Sequence, residues 1–174
     1  MNRMLTAMAS MAFLFGAVAL RADEDTKPAQ KPFDDAAFVK KAASGGLHEV
    51  ALGKIAEAKG MTEGVKKLGA KLVADHTKAN AELAKAATAA GLAVPEMMSE
   101  KHMKMVEKFA KYEGTDFDQA FLQHAIHDHK QDIADFKQAS KEAKNPSIKA
   151  FAAMTLPVIE EHLHIAEKLA GKKE

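Results

Sequence analysis

The chain has 174 residues, with 25 Lys and Arg set against 24 Asp and Glu. That length suits one domain with a real core, and the balanced charge excludes the strong field that recruits nucleic acid or an anionic membrane. With no Cys, disulfides and thiolate metal sites are ruled out; with no Trp and one Tyr, there is little for a sugar- or base-stacking platform.

Residues 1–22 read MNRMLTAMASMAFLFGAVALRA. Arg3 precedes a run of apolar and small residues from Met4 to Leu20. Ala17-Val18-Ala19 is an A-x-A cleavage pattern and Ala22 offers a second one, so a secretory signal peptide is expected here. The rival is an uncleaved anchor, since the run is about the minimum that a spanning helix needs. After cleavage no transmembrane span is expected, and the mature chain is assigned to the periplasm or the exterior. Residues 23–34 are charged, contain Pro28 and Pro32, and read as a flexible linker.

Four long periodic segments follow over residues 35–171. The first runs from about Asp35 to Lys59, with Asp34 or Asp35 as cap and Gly60 as stop. The second runs from about Thr62 to Ala90, capped by Thr62 and ended by Gly91. The third runs from about Thr115 to Ala143, with Thr115 and Asp118 as a capping-box-like pair and Asn145-Pro146 as stop. The fourth runs from about Pro146 to Ala170; Pro157 inside it should kink the helix or remove one hydrogen bond. Between the second and third lies a longer connection, Gly91 to Gly114, holding a shorter helical pattern from Glu96 to Lys111. Met98, His102, Met105 and Phe109 share one stripe of that pattern, which predicts that it packs on the long helices.

The second helix is roughly 40 Å long at 1.5 Å per residue. The connection is long enough to return over that distance, so the second and third long helices can run parallel. The expected fold is all-α: a ferritin-like four-helix bundle with a long crossover carrying a short extra helix.

At 100° per residue each long helix has one apolar stripe, and each stripe holds a polar group near its midpoint. These are Glu49, with His48 at the edge, then His76, His129 and His162. In an antiparallel bundle the four should meet in one layer. Each of the three core imidazoles follows an acid, Asp75, Asp128 and Glu161 respectively, at the edge of its stripe. A buried imidazole without a partner costs a few kcal/mol. One remedy is a single transition metal, Zn, Fe, Mn or Cu, held by His76, His129, His162 and Glu49, with Asp75, Asp128 or Glu161 orienting the rings. The other is a metal-free polar layer in which Glu49 pairs with a protonated His. DHTKANAEL at 75–83 also resembles DHKQDIADF at 128–136, a weak sign of an internal repeat.

Other signals are weaker. MMSEKHMKM at 97–105 offers a Cu(I)-type donor set but reads better as packing. His124, His127 and His164 fall opposite their helices' apolar stripes and are expected in solvent. No phosphate loop or nucleophile elbow occurs.

GGLHEVALGKIA at 45–56, KLVADHTKAN at 71–80, FDQAFLQHAIHDHKQDIADF at 117–136 and KAFAAMTLPVIEEHLHIAEKL at 149–169 resemble an exported, ferritin-like bacterial family, domain of unknown function 4142. The resemblance implies a ferritin-like fold and an envelope location, and no particular activity. Di-iron proteins of ferritin-like fold carry Glu-x-x-His on two helices. Here Val73 and Ile159 stand three residues before His76 and His162, which argues against ferroxidase or oxygenase chemistry. The functional expectation is metal handling or an envelope-stress role. The alternative is a non-catalytic interaction or stress-protective module with a structural His layer. Enzymatic activity and the partner are left open, a homo-oligomer being one option.

Overall fold

The computed structural model describes residues 32–171. The signal peptide expected at 1–22, and all but the last three residues of the linker at 23–34, lie outside the described residues. Among those residues the chain is all-helical, with five helices and no strands: α1 Asp35–Lys59, α2 Glu63–Ala89, α3 Glu100–Phe109, α4 Gly114–Glu142 and α5 Pro146–Ala170. No helix among them is long and apolar enough to cross a membrane.

Local chemistry accounts for most helix ends. Asp34 accepts from the Ala37 amide at 3.0 Å, Thr62 from Val65 at 3.3 Å, Ser99 from His102 at 3.3 Å and Asn145 from Ser147 at 2.9 Å. Gly91, at φ +68°, closes α2, with the Leu92 amide returning to the Ala87 carbonyl at 2.8 Å. α5 runs unbroken through Pro157. The carbonyl this proline leaves unpaired belongs to the exposed Ala153, where water can serve it.

The expected capping pair of Thr115 and Asp118 does not form. α4 begins after Glu113 without a side-chain cap. Asp118 is buried and accepts from the Met61 amide, the Thr62 amide and the Thr62 hydroxyl at 2.8, 2.9 and 2.9 Å, so it holds the α1–α2 turn instead. Asp35 does the reciprocal task, accepting from the Lys144 and Asn145 amides at 3.0 and 2.7 Å in the α4–α5 turn. Each helical hairpin thus has its turn held by an aspartate of the other.

α1 packs on α2 and α4 on α5; α2 also meets α5, and α1 meets α4. The core falls into two apolar clusters. One gathers Phe38 and Val39 from the start of α1, Leu83 from late α2, Phe136 from late α4, and Ile148 and Phe151 from the start of α5. The other gathers Leu52 from late α1, Leu68 and Leu72 from early α2, Phe109 from α3, Phe117 and Phe121 from early α4, and Ala166 from late α5. This distribution makes α2 and α4 parallel to each other and antiparallel to α1 and α5, as the length of the crossover predicts. α3 lies over the seam between α1 and α4, its Phe109 ring 5.2 Å from His124 and its His102 ring 4.6 Å from His48.

A close backbone approach joins α1 to α2. A Cβ on Gly53 would lie 2.7 Å from the Gly69 carbonyl oxygen, and one on Gly69 would lie 2.7 Å from the Gly53 carbonyl oxygen. Gly45 also sits in the α1 sequence stripe, yet a Cβ there would meet nothing within 4 Å. The two positions should respond oppositely to alanine. Gly69→Ala should lower the stability read by urea unfolding by about 1–3 kcal/mol through overpacking. Gly45→Ala should raise it by about 0.5–1 kcal/mol through helix propensity.

Candidate metal centre

Between the two apolar clusters lies a layer of polar side chains. α2, α4 and α5 each bring one imidazole to it: His76, His129 and His162, at 7, 1 and 1 % exposure. One ring nitrogen of each lies within 4.8 Å of the other two. Ring centroids are 5.9 Å apart for His76–His129 and 5.3 Å for both His76–His162 and His129–His162.

The hydrogen bonds assign the protons. His129 Nδ1–H donates to the Ala125 carbonyl at 2.9 Å, which leaves its Nε2 as a bare lone pair. His162 Nε2–H donates to the Asp75 carboxylate at 2.8 Å, which leaves its Nδ1 bare. These two bare nitrogens face each other at 3.3 Å, so a neutral pair has no proton to place between them. His76 Nε2 is buried and has no partner.

A proton is a poor remedy here. Burial, and then the neighbouring imidazoles, push His76 down to about 3. Burial, and then His162, push His129 down to about 4. His162 is also lowered, by burial, against the opposing pull of Asp75. Desolvation alone would raise the Asp75 carboxyl, but its bonds to His162 and Lys71 hold it below the ordinary range. At pH 7 the neutral His129 and His162 rings therefore turn bare lone pairs toward each other. The 3.3 Å separation matches the roughly 3.3 Å expected for two nitrogens bound tetrahedrally at about 2.05 Å.

The remaining sequence-predicted residues are distributed differently. Glu49 is 1 % exposed but is not in the three-imidazole group. Burial, and then the charges of Asp128 and Asp132, hold its carboxyl well above the ordinary range. Asp75 accepts from the His162 ring at 2.8 Å. Glu161 is exposed and bonds Lys71 at 3.1 Å; Lys71 also holds Asp75 at 3.1 Å, so Glu161 reaches the layer only through that lysine.

Asp128 groups with His48 and His124, a constellation the helical wheel did not reveal. His124, expected in solvent, is half-buried because α3 covers it; its Nε2 is 2.9 Å from His48 Nε2. The available signal was the i,i+4 spacing of His124 and Asp128, which puts both on one face. His127 and His164 are exposed as expected, and His102 is tied to Ser44 at 2.8 Å.

Residues 19–169 match the family model named Domain of unknown function (DUF4142), and the chain belongs to that family. A crystal structure of a DUF305 fragment from Deinococcus radiodurans is similar in fold, with a TM-score of 0.67 at 14 % identity over 81 % of this chain and 99 % of that one. No curated protein matches the chain.

Asp132 provides a test of the electrostatics beside this layer. Burial, and then the charge of Asp128, push its carboxyl up to about 7, against Lys41. Between about pH 4, the ordinary value, and pH 7, the folded chain keeps a proton that the unfolded chain has lost. The stability from this group is therefore full at low pH and declines as pH rises through 7. Asp132→Asn should raise the melting temperature at pH 8, by about 2–4 °C per kcal/mol gained, and change it little at pH 4. Equal shifts at both pH values would contradict this assignment.

Proposed function

We propose that this chain is a ferritin-like four-helix bundle of the cell envelope that holds one transition-metal ion through His76, His129 and His162, in a metal-handling or envelope-stress role. The observation that carries this reading is the pair of bare nitrogens at 3.3 Å, His129 Nε2 and His162 Nδ1, with the unpartnered His76 Nε2 beside them. The two facing lone pairs repel each other, and His76 Nε2 has no partner in the protein. A cation turns the same geometry into a set of bonds.

Three neutral imidazoles suit Zn or Cu better than Mn, which prefers oxygen donors. The Asp75 bond to His162 and the Ala125 carbonyl on His129 are the outer contacts that select a metal-ready tautomer. Glu49 stands with Asp128 and Asp132 and outside the imidazole group, which leaves the fourth position to water or another small ligand. The ferritin-like assignment draws on the parallel α2 and α4 and their long crossover. Val73 and Ile159 take the places of the bridging acids, so the role argued for is binding and not di-iron chemistry. The envelope assignment draws on the sequence of residues 1–22.

The test uses protein purified without a His tag. Elemental analysis should find metal, and a chelator should lower the melting temperature. An ion present at 100 times its Kd contributes about 2.7 kcal/mol. His162→Gln and His129→Leu should each abolish the metal bound at this centre. If the layer is only structural, neither variant loses any bound metal, and His129→Leu is neutral or stabilising.

A further inference from the structure

We propose that His48, His124 and Asp128 form a second divalent-cation site, separate from the three-imidazole centre, in the seam between α1 and α4 beneath α3. One ligand atom from each of the three lies within 4.8 Å of the others. His48 comes from mid-α1 and is fully buried. His124 and Asp128, one turn apart on α4, are half-buried, so this site is reached from solvent where the three-imidazole centre is closed.

Three observations support a cation. First, the polar groups beside the site lack partners. Glu49 Oε1, on the residue next to His48, is buried without a hydrogen bond, and Lys41 is already paired with Asp135. Second, the imidazoles are held in place. The His102 ring stacks on His48 at 4.6 Å and 20°, and is itself held by the Ser44 hydroxyl at 2.8 Å and carbonyl at 3.1 Å. The same hydroxyl accepts from the Ser99 amide at 2.8 Å, which ties the start of α3 to α1. Third, His48 Nε2 and His124 Nε2 stand only 2.9 Å apart, close enough for both to bind one ion.

The geometry differs from that of the first centre. Two nitrogens at 2.9 Å subtend about 90° at an ion with bonds near 2.05 Å, the angle of octahedral or tetragonal coordination. Two imidazoles and one carboxylate on adjacent positions leave the others to water. The site therefore takes borderline divalent ions of that geometry and exchanges them with solvent.

Cobalt(II) alone is the probe, because its visible absorption is intense when four-coordinate and weak when six-coordinate. Equilibrium dialysis of the tag-free protein should find two equivalents. Asp128→Asn, nearly isosteric, and His124→Ala should each lose one equivalent and keep the intense band. His162→Gln should lose the intense band and keep the other equivalent, so failure of either centre is seen separately. Circular dichroism melts confirm that each variant is folded, and Asp128→Asn decides if His124→Ala is not. The proposal is overturned if no equivalent depends on Asp128 or His124, or if the equivalent is lost in His127→Ala, which would locate it on the exposed face.

Discussion

An imidazole taken out of water needs a partner for each ring nitrogen, and this fold buries four of them at mid-height. His48, His76, His129 and His162 lie at or below 7 % exposure in a layer that splits the apolar core in two. Burial forces these rings toward the neutral form. Neutral rings satisfy one nitrogen as a donor and leave the other as a lone pair. Asp75 and the Ala125 carbonyl take the donors of His162 and His129. Their two lone pairs then face each other beside His76, and the chemistry of the site follows from that contact.

The helices are held so that the layer stays in register. Asp35 and Asp118 exchange turns between the hairpins, each satisfying backbone amides that no helix can reach. Gly53 and Gly69 let α1 and α2 approach until backbone meets backbone. The crossover returns the chain so that α4 starts at the same end as α2. His76 and His129, near the middle of parallel helices, then fall at one height. α3 closes the α1–α4 seam and takes His124 partly out of solvent.

The two constellations at this height answer the same need differently. On the α2–α5 side the partners are all acceptors, and the nitrogens stand apart at a tetrahedral spacing. On the α1–α4 side the rings are closer, a carboxylate replaces the third ring, and two of the three ligand residues are only half-buried. Glu49 sits on the second side, where burial, and then the neighbouring acids, raise its carboxyl well above the ordinary range.

Much was legible in the sequence because it is local. Helix extents follow from periodicity and from caps within three residues: Asp34, Thr62 and Asn145 each bond an amide nearby. The mid-helix placement of His76, His129 and His162 follows from counting at 100° per residue. Other features depended on what lies across a helix interface. Asp118 looked like a local cap and instead serves a turn 56 residues away. Gly45 lies in the α1 stripe and faces open space. Glu49 shares the apolar stripe of α1, yet its carboxyl meets acids of α4, and His124 is covered by a helix that the wheel for α4 cannot include. A helical wheel gives direction to within a face, whereas a ligand set is decided by ångströms. Those depend on the axial offset and rotation between packed helices, which only the assembled core determines.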